Sequence, residues 1–198
     1  MGKRAFDIAL SLTAIVVFLP FFGIIALLIK IDSAGPVFFK QERIGRGFRP
    51  FFIYKFRTMV KDAPRLGRDI TVGDDPRITR VGRFLRRTKL DEVPQLINVL
   101  KGDMSLVGPR PELPRYVEAF RGQYEQILAV RPGLTDLASL RFIDEAAVLA
   151  QASDPEDAYR EIVLPKKLAL ARRYVRERSW RLDVMLLVRT LDRLLTRS

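Results

Sequence analysis

The 198-residue chain contains no cysteine and no histidine. That absence excludes a disulfide framework, a thiolate nucleophile, a catalytic imidazole and a zinc site of the usual Cys/His type. Chemistry is left to carboxylates, hydroxyls, Lys, Arg and an oxygen-bound Mg²⁺. A P-loop is also missing, and Gly45-Arg-Gly47 is followed by Pro50 where a dinucleotide fingerprint needs its third glycine. No internal repeat or low-complexity stretch is visible.

Acidic residues are outnumbered 23 to 35, which gives a net charge of +12. Residues 1–60, 61–135 and 136–198 carry +6, +4 and +2 of it. The first block also holds Ile8 to Ile29, 22 residues without a charged side chain. The strongest cationic excess thus flanks the longest apolar run, which points to a bilayer before nucleic acid. With 29% charged residues the rest is too polar for a polytopic membrane protein, and one folded domain with one apolar attachment is expected.

As a straight helix the apolar run would be about 33 Å long, enough to cross a hydrocarbon core of about 30 Å. Pro20 near its middle predicts a break or bend. Basic residues stand on both sides, Lys3 and Arg4 before and Lys30, Lys40, Arg43, Arg46 and Arg49 after, so the flanks define no inside and outside. Two arrangements fit: a kinked transmembrane anchor, or a helix-break-helix that enters and leaves one leaflet. No small-residue cleavage site follows the run, which argues against a signal peptide.

Downstream, Gly35-Pro-Val-Phe-Phe-Lys40 and Phe51-Phe-Ile-Tyr-Lys-Phe56 read as short strands, and Lys61 to Pro76 as a flexible polar stretch. Ile78 to Thr88 reads as a helix whose Arg80, Arg83 and Arg87 form a basic stripe; such a stripe is most often a solvated face. Pro94 predicts a helix starting at Asp91 or Glu92 and stopping at Gly102, which would put two carboxylates at a positive helix end. Arg115 to Val130 reads as one helix, and Asp154-Pro155 as the start of another. Leu164 to Leu195 is helical in pattern, with Val184, Leu187, Val188, Leu191, Leu194 and Leu195 on one face. Core packing is the commoner fate of such a face, and an interfacial position the other.

Four groups of residues carry chemistry: Lys55-Phe-Arg57-Thr-Met59; Arg86 with Thr88-Lys-Leu-Asp91-Glu92-Val-Pro94-Gln95; Gly108-Pro-Arg110-Pro111; and Arg131-Pro-Gly133. Arg beside rigid turn formers holds a planar fork where phosphate oxygens can be gripped. The acid pair supplies an anionic nucleophile and a hard ligand for Mg²⁺. Singly, Asp91 is more simply a helix cap and Gly108-Pro-Arg110-Pro111 a rigid loop. Their joint occurrence beside a membrane segment lifts the functional reading.

Lys3-Arg-Ala-Phe-Asp7, Gly35-Pro-Val-Phe-Phe-Lys-Gln-Glu-Arg43, Tyr54-Lys-Phe-Arg-Thr-Met59, Leu90-Asp-Glu-Val-Pro-Gln-Leu96, Asn98 to Pro111 and Arg131-Pro-Gly-Leu-Thr135 run in one order over most of the chain. In this the sequence resembles the bacterial monotopic phosphoglycosyl transferases, also called polyprenyl-phosphate sugar-1-phosphate transferases. The resemblance implies an α+β, mostly helical, monotopic protein. Residues 1–31 would form a re-entrant helix broken at Pro20, and residues 32–198 one catalytic domain with interfacial amphipathic helices at the cytoplasmic face of the inner membrane. It implies that Asp91 attacks the sugar-bearing phosphate of a UDP-sugar and ligates Mg²⁺, with Glu92 assisting in orientation or proton handling. UMP leaves, and a polyprenyl phosphate takes the phosphosugar, a first membrane step of glycoconjugate assembly. Lys55, Arg57, Arg86 and Arg110 would hold phosphates, with Arg131 and Arg141 as further ligands and Asp183 as a late functional acid. Membrane lipid is an expected partner, nucleic acid is not, and the C-terminal helix leaves room for a homodimer.

Two departures stand out. Leu19 precedes Pro20 where many members carry Ser. After Thr135 many members continue Gly-Trp-Ala-Gln-Val-Asn-Gly-Arg, whereas this chain has Asp136-Leu-Ala-Ser-Leu-Arg141-Phe142.

Overall fold

The computed structural model describes residues 2–66, 75–141, 149 and 151–196. Part of the polar stretch singled out before Pro76 lies outside the described residues, as does Phe142.

Helix α1 (Gly2–Asp32) contains the apolar run and does not end at Pro20. A proline removes one helical hydrogen bond, and a helix can absorb that loss without terminating, so the predicted interruption is not an element boundary. Asp7, Ser11, Ile25 and Ile29 are buried, and Phe6, Ala14, Ile15 and Phe22 pack against the core. Much of the apolar run is uncovered: Val16, Leu19, Ile24 and Leu27 are each about 60% exposed. The helix is long and apolar enough to cross a membrane.

Aromatic and aliphatic residues at their ends and Ile53 and Phe56 in the core build the hairpin β1 (Phe38–Ile44) and β2 (Pro50–Phe56), antiparallel with Phe38 opposite Phe56 and Ile44 opposite Pro50. The one-turn α2 (Ala63–Leu66) follows, then α3 (Arg80–Thr88), which Thr79 caps through its side chain. After the Asp91-Glu92 pair come α4 (Gln95–Lys101), stopped at Gly102, and β3 (Ser105–Val107). The predicted helix over Arg115 to Val130 is two short helices, α5 (Pro114–Ala119) and α6 (Arg121–Ile127), separated at Phe120.

Strand β4 (Gly133–Thr135) runs parallel to β3, pairing Ser105 with Gly133 and Val107 with Thr135. This brings Gly108-Pro-Arg110 against Arg131-Pro-Gly133. A Cβ on Gly133 would fall 2.1 Å from the Gly108 nitrogen, and one on Gly108 would fall 2.5 Å from the Arg131 carbonyl oxygen. Only glycine at both places permits this approach.

Helices α7 (Leu137–Arg141) and α8 (Pro155–Ala158) follow, and Asp154 caps α8 as its sequence predicts. A π-turn at Tyr159–Val163 leads into α9 (Leu164–Glu177), and α10 (Trp180–Thr196) ends the described chain. One core cluster gathers Tyr116, Tyr124, Ile127, Leu164 and Leu168; a second joins Ile53, Val99, Met104, Leu106 and Leu186; a third, beneath α1, holds Ile25, Ile29, Phe56 and Leu85.

The C-terminal helix departs from the expected core packing. Leu186 is fully buried, but Val184, Val188, Leu191, Leu194 and Leu195 are exposed. The helix meets the domain through Leu182, Met185, Leu186 and Leu187 and leaves an apolar face exposed, and at its start Trp180 packs edge-on against Phe6 of α1.

Candidate active site

At the end of α3 the backbone of Lys89 takes the left-handed conformation, φ 59° and ψ 13°, and turns the chain into a separate 3-10 turn, Leu90–Glu92. Val93 and Pro94 follow, and α4 starts only at Gln95. The acid pair is therefore not in the first turn of α4, as the position of Pro94 suggests from sequence. Proline is compatible with the start of a helix, and here it stands immediately before one. Asp91 and Glu92 are held by the turn and by the side chains around it, with no helix behind them.

Lys55, from β2, donates from Nζ to Glu92 Oε1 at 2.9 Å. Arg110, from the loop after β3, donates from Nη1 to Glu92 Oε2 at 3.2 Å and from Nη2 to Oε1. Burial opposes ionisation of Glu92, but the Arg110 and Lys55 charges outweigh it and hold this carboxyl well below the usual range. Glu92 in turn pushes the Arg110 guanidinium up.

Asp91 has the opposite surroundings. It is 7% exposed, and its Oδ1 is buried without a hydrogen-bond partner. Burial, and then the charge of Glu92, push its carboxyl up; Lys55, Lys89 and Arg86 pull the other way without prevailing. Arg86 donates from Nε to Thr58 Oγ1 at 2.8 Å, and Asp91 is the strongest charge acting on its buried guanidinium. The result is a carboxylate short of partners, with Lys55, Lys89 and Arg86 acting on it by charge. Such a group can attack an electrophile whose own negative charge the cations neutralise.

Other residues singled out from sequence are placed elsewhere. The Arg57 guanidinium reaches the end of α1: Nη1 donates to Ala34 O at 2.7 Å, and Nη2 to Ser33 O at 2.7 Å and Ser33 Oγ at 3.0 Å. Asp183 accepts from Lys3 Nζ at 2.5 Å and Tyr174 Oη at 2.7 Å. Arg131 donates from Nε to Gly102 O at 2.8 Å, closing the end of α4. Arg141 is exposed at the end of α7. The structure thus gathers Lys55, Arg86, Asp91, Glu92 and Arg110, and leaves Arg57, Arg131, Arg141 and Asp183 outside the group.

Asp136 was not singled out by sequence for the site. It is 2% exposed, its Oδ2 accepts from the Arg110 N–H at 3.3 Å, and its Oδ1 accepts from the Ser139 N–H at 2.6 Å at the start of α7. Its only sequence signal is its place directly after Thr135.

Among the described residues no group of three or more acidic side chains converges on a cation position. Glu92 is engaged by two cations, so Asp91 is the carboxylate of this pair with an unpartnered oxygen. That donor set fits Mg²⁺ held by one carboxylate together with substrate phosphates.

Residues 1–197 match the family described as bacterial sugar transferase. The chain belongs to that family. The transferase is 50% identical over 146 residues to an exopolysaccharide production protein of Rhizobium leguminosarum bv. phaseoli, covering 70% of this chain and 73% of the relative. It is 39% identical over 197 residues to a UDP-N-acetylgalactosamine-undecaprenyl-phosphate N-acetylgalactosaminephosphotransferase of Aeromonas hydrophila, 98% of this chain and 44% of the relative. It is 44% identical over 146 residues to a UDP-glucose:undecaprenyl-phosphate glucose-1-phosphate transferase of Caulobacter vibrioides, 71% of this chain and 54% of the relative. The transferase spans about half the length of the last two. Its class is that of a sugar-phosphate transferase.

Proposed function

We propose that the transferase moves a sugar-1-phosphate from a UDP-sugar to a polyprenyl phosphate such as undecaprenyl phosphate, through a covalent phosphosugar on Asp91. The observation that carries this reading is the buried, unpartnered Oδ1 of Asp91 beside Arg86 and the Lys55–Glu92–Arg110 group.

Asp91 attacks the phosphorus that bears the sugar, the bond from that phosphorus to the bridging oxygen breaks, and UMP leaves with the bridging oxygen. An oxygen of the polyprenyl phosphate then attacks the same phosphorus, the bond to Asp91 breaks, and the carboxylate is restored. Glu92 keeps Lys55 and Arg110 at fixed positions around the diphosphate, and Arg86 stands where charge gathers near Asp91. Asp91 and the diphosphate oxygens would hold Mg²⁺. When bound, the ion supplies Lewis-acid neutralisation of phosphate charge.

The membrane part of the reading is a monotopic protein at the cytoplasmic face of the inner membrane. Both ends of α1 are tied to one domain: Lys3 to Asp183, Arg4 Nη1 to Val99 O at 2.6 Å, and Asp7 to Ser105 Oγ at 2.8 Å near the start, with Arg57 holding Ser33 and Ala34 after its end. A spanning helix would carry one end away from that domain. The uncovered apolar faces of α1 and α10 suit the lipid, which keeps a polyprenyl phosphate at headgroup level while the nucleotide sugar arrives from water.

The test is incubation of the purified protein with a panel of UDP-sugars, Mg²⁺ and polyprenyl phosphate while UMP is followed. UMP release with one sugar, and label from that sugar retained on the protein when the lipid is omitted, is expected. No UMP from any UDP-sugar overturns the reading. Single cysteines at Gly2 and Lys30, in a chain that has none, should both react with an impermeant maleimide from the same side of sealed vesicles; opposite sides would overturn the monotopic part.

A further inference from the structure

We infer that Thr58 is a positioning residue: its hydroxyl fixes the Arg86 guanidinium beside Asp91, while its backbone fixes α3. The inference rests on the proposed role of Asp91 and Arg86 in phosphosugar transfer.

Three contacts converge on this one residue, which is 8% exposed. Thr79, the cap of α3, donates its N–H to Thr58 O at 3.1 Å. A Cβ on Gly82, in the first turn of α3, would fall 2.0 Å from Thr58 O, so the helix lies directly on the Thr58 peptide. One turn further along the same helix, Arg86 Nε donates to Thr58 Oγ1 at 2.8 Å. The helix is thus located against Thr58 at its start, and its functional Arg is oriented by Thr58 near its end.

Arg86 needs such a partner. An Arg side chain has several rotatable bonds, and misplacement of a binding group by about 1 Å can cost about 100-fold in rate. Engaging Nε fixes the plane of the fork and leaves its terminal N–H groups for phosphate oxygens. Among the described residues no other group holds Nε: Asp91, Asp75 and Glu92 act on Arg86 through charge.

The adjacent Arg57 gives this arrangement a reach beyond α3. Its guanidinium holds the carbonyls of Ser33 and Ala34, and its own N–H donates to Val37 O at 2.8 Å. Asp32, the last residue of α1, accepts from the Val81 N–H at 2.9 Å. Two consecutive residues therefore connect the end of the apolar helix to the cation beside Asp91, which sets the height of the site relative to the segment entering the lipid.

The test compares Thr58→Val, which keeps the shape and removes the hydroxyl, with Thr58→Ser, which keeps the hydroxyl. Thr58→Val should lower kcat for UMP release about ten-fold or more, with a smaller change in KM for the UDP-sugar and an unfolding midpoint close to wild type. Thr58→Ser should retain most of the turnover. In an Arg86→Lys background, which has no Nε to orient, Thr58→Val should change kcat little further. Equal activity of valine and wild type, loss in serine equal to that in valine, or additive effects with Arg86→Lys would overturn the inference. If valine does not pack, Thr58→Ala set against Thr58→Ser carries the same comparison. Wild-type protein that releases no UMP from any UDP-sugar would instead remove the reading on which the inference rests.

Discussion

Asp91 and Glu92 are consecutive in one 3-10 turn, yet Glu92 is gripped by Lys55 and Arg110 while Asp91 Oδ1 is buried with no partner. The same cations that hold one carboxyl low thus leave its neighbour raised by burial. In the proposed reaction the division gives each acid a separate task, one to organise the cations and one to react.

Replacing Asp91 by Asn should abolish the labelled phosphosugar adduct and lower turnover by about 10³-fold or more. It should also stabilise the fold at pH 7. The folded-state pKa of Asp91 is raised, so its ionised form costs stability above that pKa, and Asn removes the cost. The gain in unfolding midpoint should shrink as pH falls towards and below the ordinary Asp value of about 3.9. A mutant that still forms the adduct excludes Asp91 as nucleophile.

Glu92→Gln leaves Lys55 and Arg110 facing each other without their shared anion. The cost should be about 2–3 kcal/mol, below that of breaking a fully buried pair because the Arg110 side chain is 35% exposed. Because the Glu92 carboxyl is held low, its contribution is present above about pH 4.3 and is lost as pH falls through the folded-state value. Chemical denaturation at pH 7 should show the loss, and the gap to wild type should close below that range.

Arg57→Lys should separate a structural role from phosphate binding. One ammonium cannot match the planar fork on Ser33 and Ala34, so the unfolding midpoint should fall by the equivalent of about 1–3 kcal/mol. Arg57 touches no member of the Asp91 group, so KM for the UDP-sugar should stay near wild type. A selective rise in KM with unchanged stability would return Arg57 to the phosphate site.

Gly82→Ala places a methyl 2.0 Å from a backbone oxygen, which a rotamer change cannot relieve. A loss of about 1–3 kcal/mol is expected, with turnover falling as well because α3 carries Arg86. Unchanged stability would mean that α3 can slide on Thr58.

Removal of Mg²⁺ by EDTA should stop UMP release, and added Mg²⁺ should restore it. With one unpartnered carboxylate and no acidic cluster among the described residues, the ion should change the unfolding midpoint little until nucleotide sugar is present. A large shift with Mg²⁺ alone would reveal a preformed site.

The sequence by itself determined what depends on near neighbours. The uncharged run specified the long apolar helix, the aromatic-rich segments ending at Lys40 and Phe56 two short strands, Asp154-Pro155 a helix start, and missing His and Cys left carboxylates for the chemistry. Local signals also marked the motifs that enter the site, because turn formers and acid pairs are short-range features. Tertiary structure decided which charges meet. Arg57 and Arg110 both stand in motifs that suggest phosphate binding, yet one meets the carbonyls after α1, 23 and 24 residues away in sequence, and the other meets Glu92. The face of α10 has the spacing of a core helix, yet the helix packs through Leu182, Met185, Leu186 and Leu187, and among the described residues no element covers Val188, Leu191 and Leu195. A guanidinium binds any suitably placed oxygen, and an apolar face covers any surface that excludes water, so composition and spacing name the groups while the partner depends on where distant segments pack.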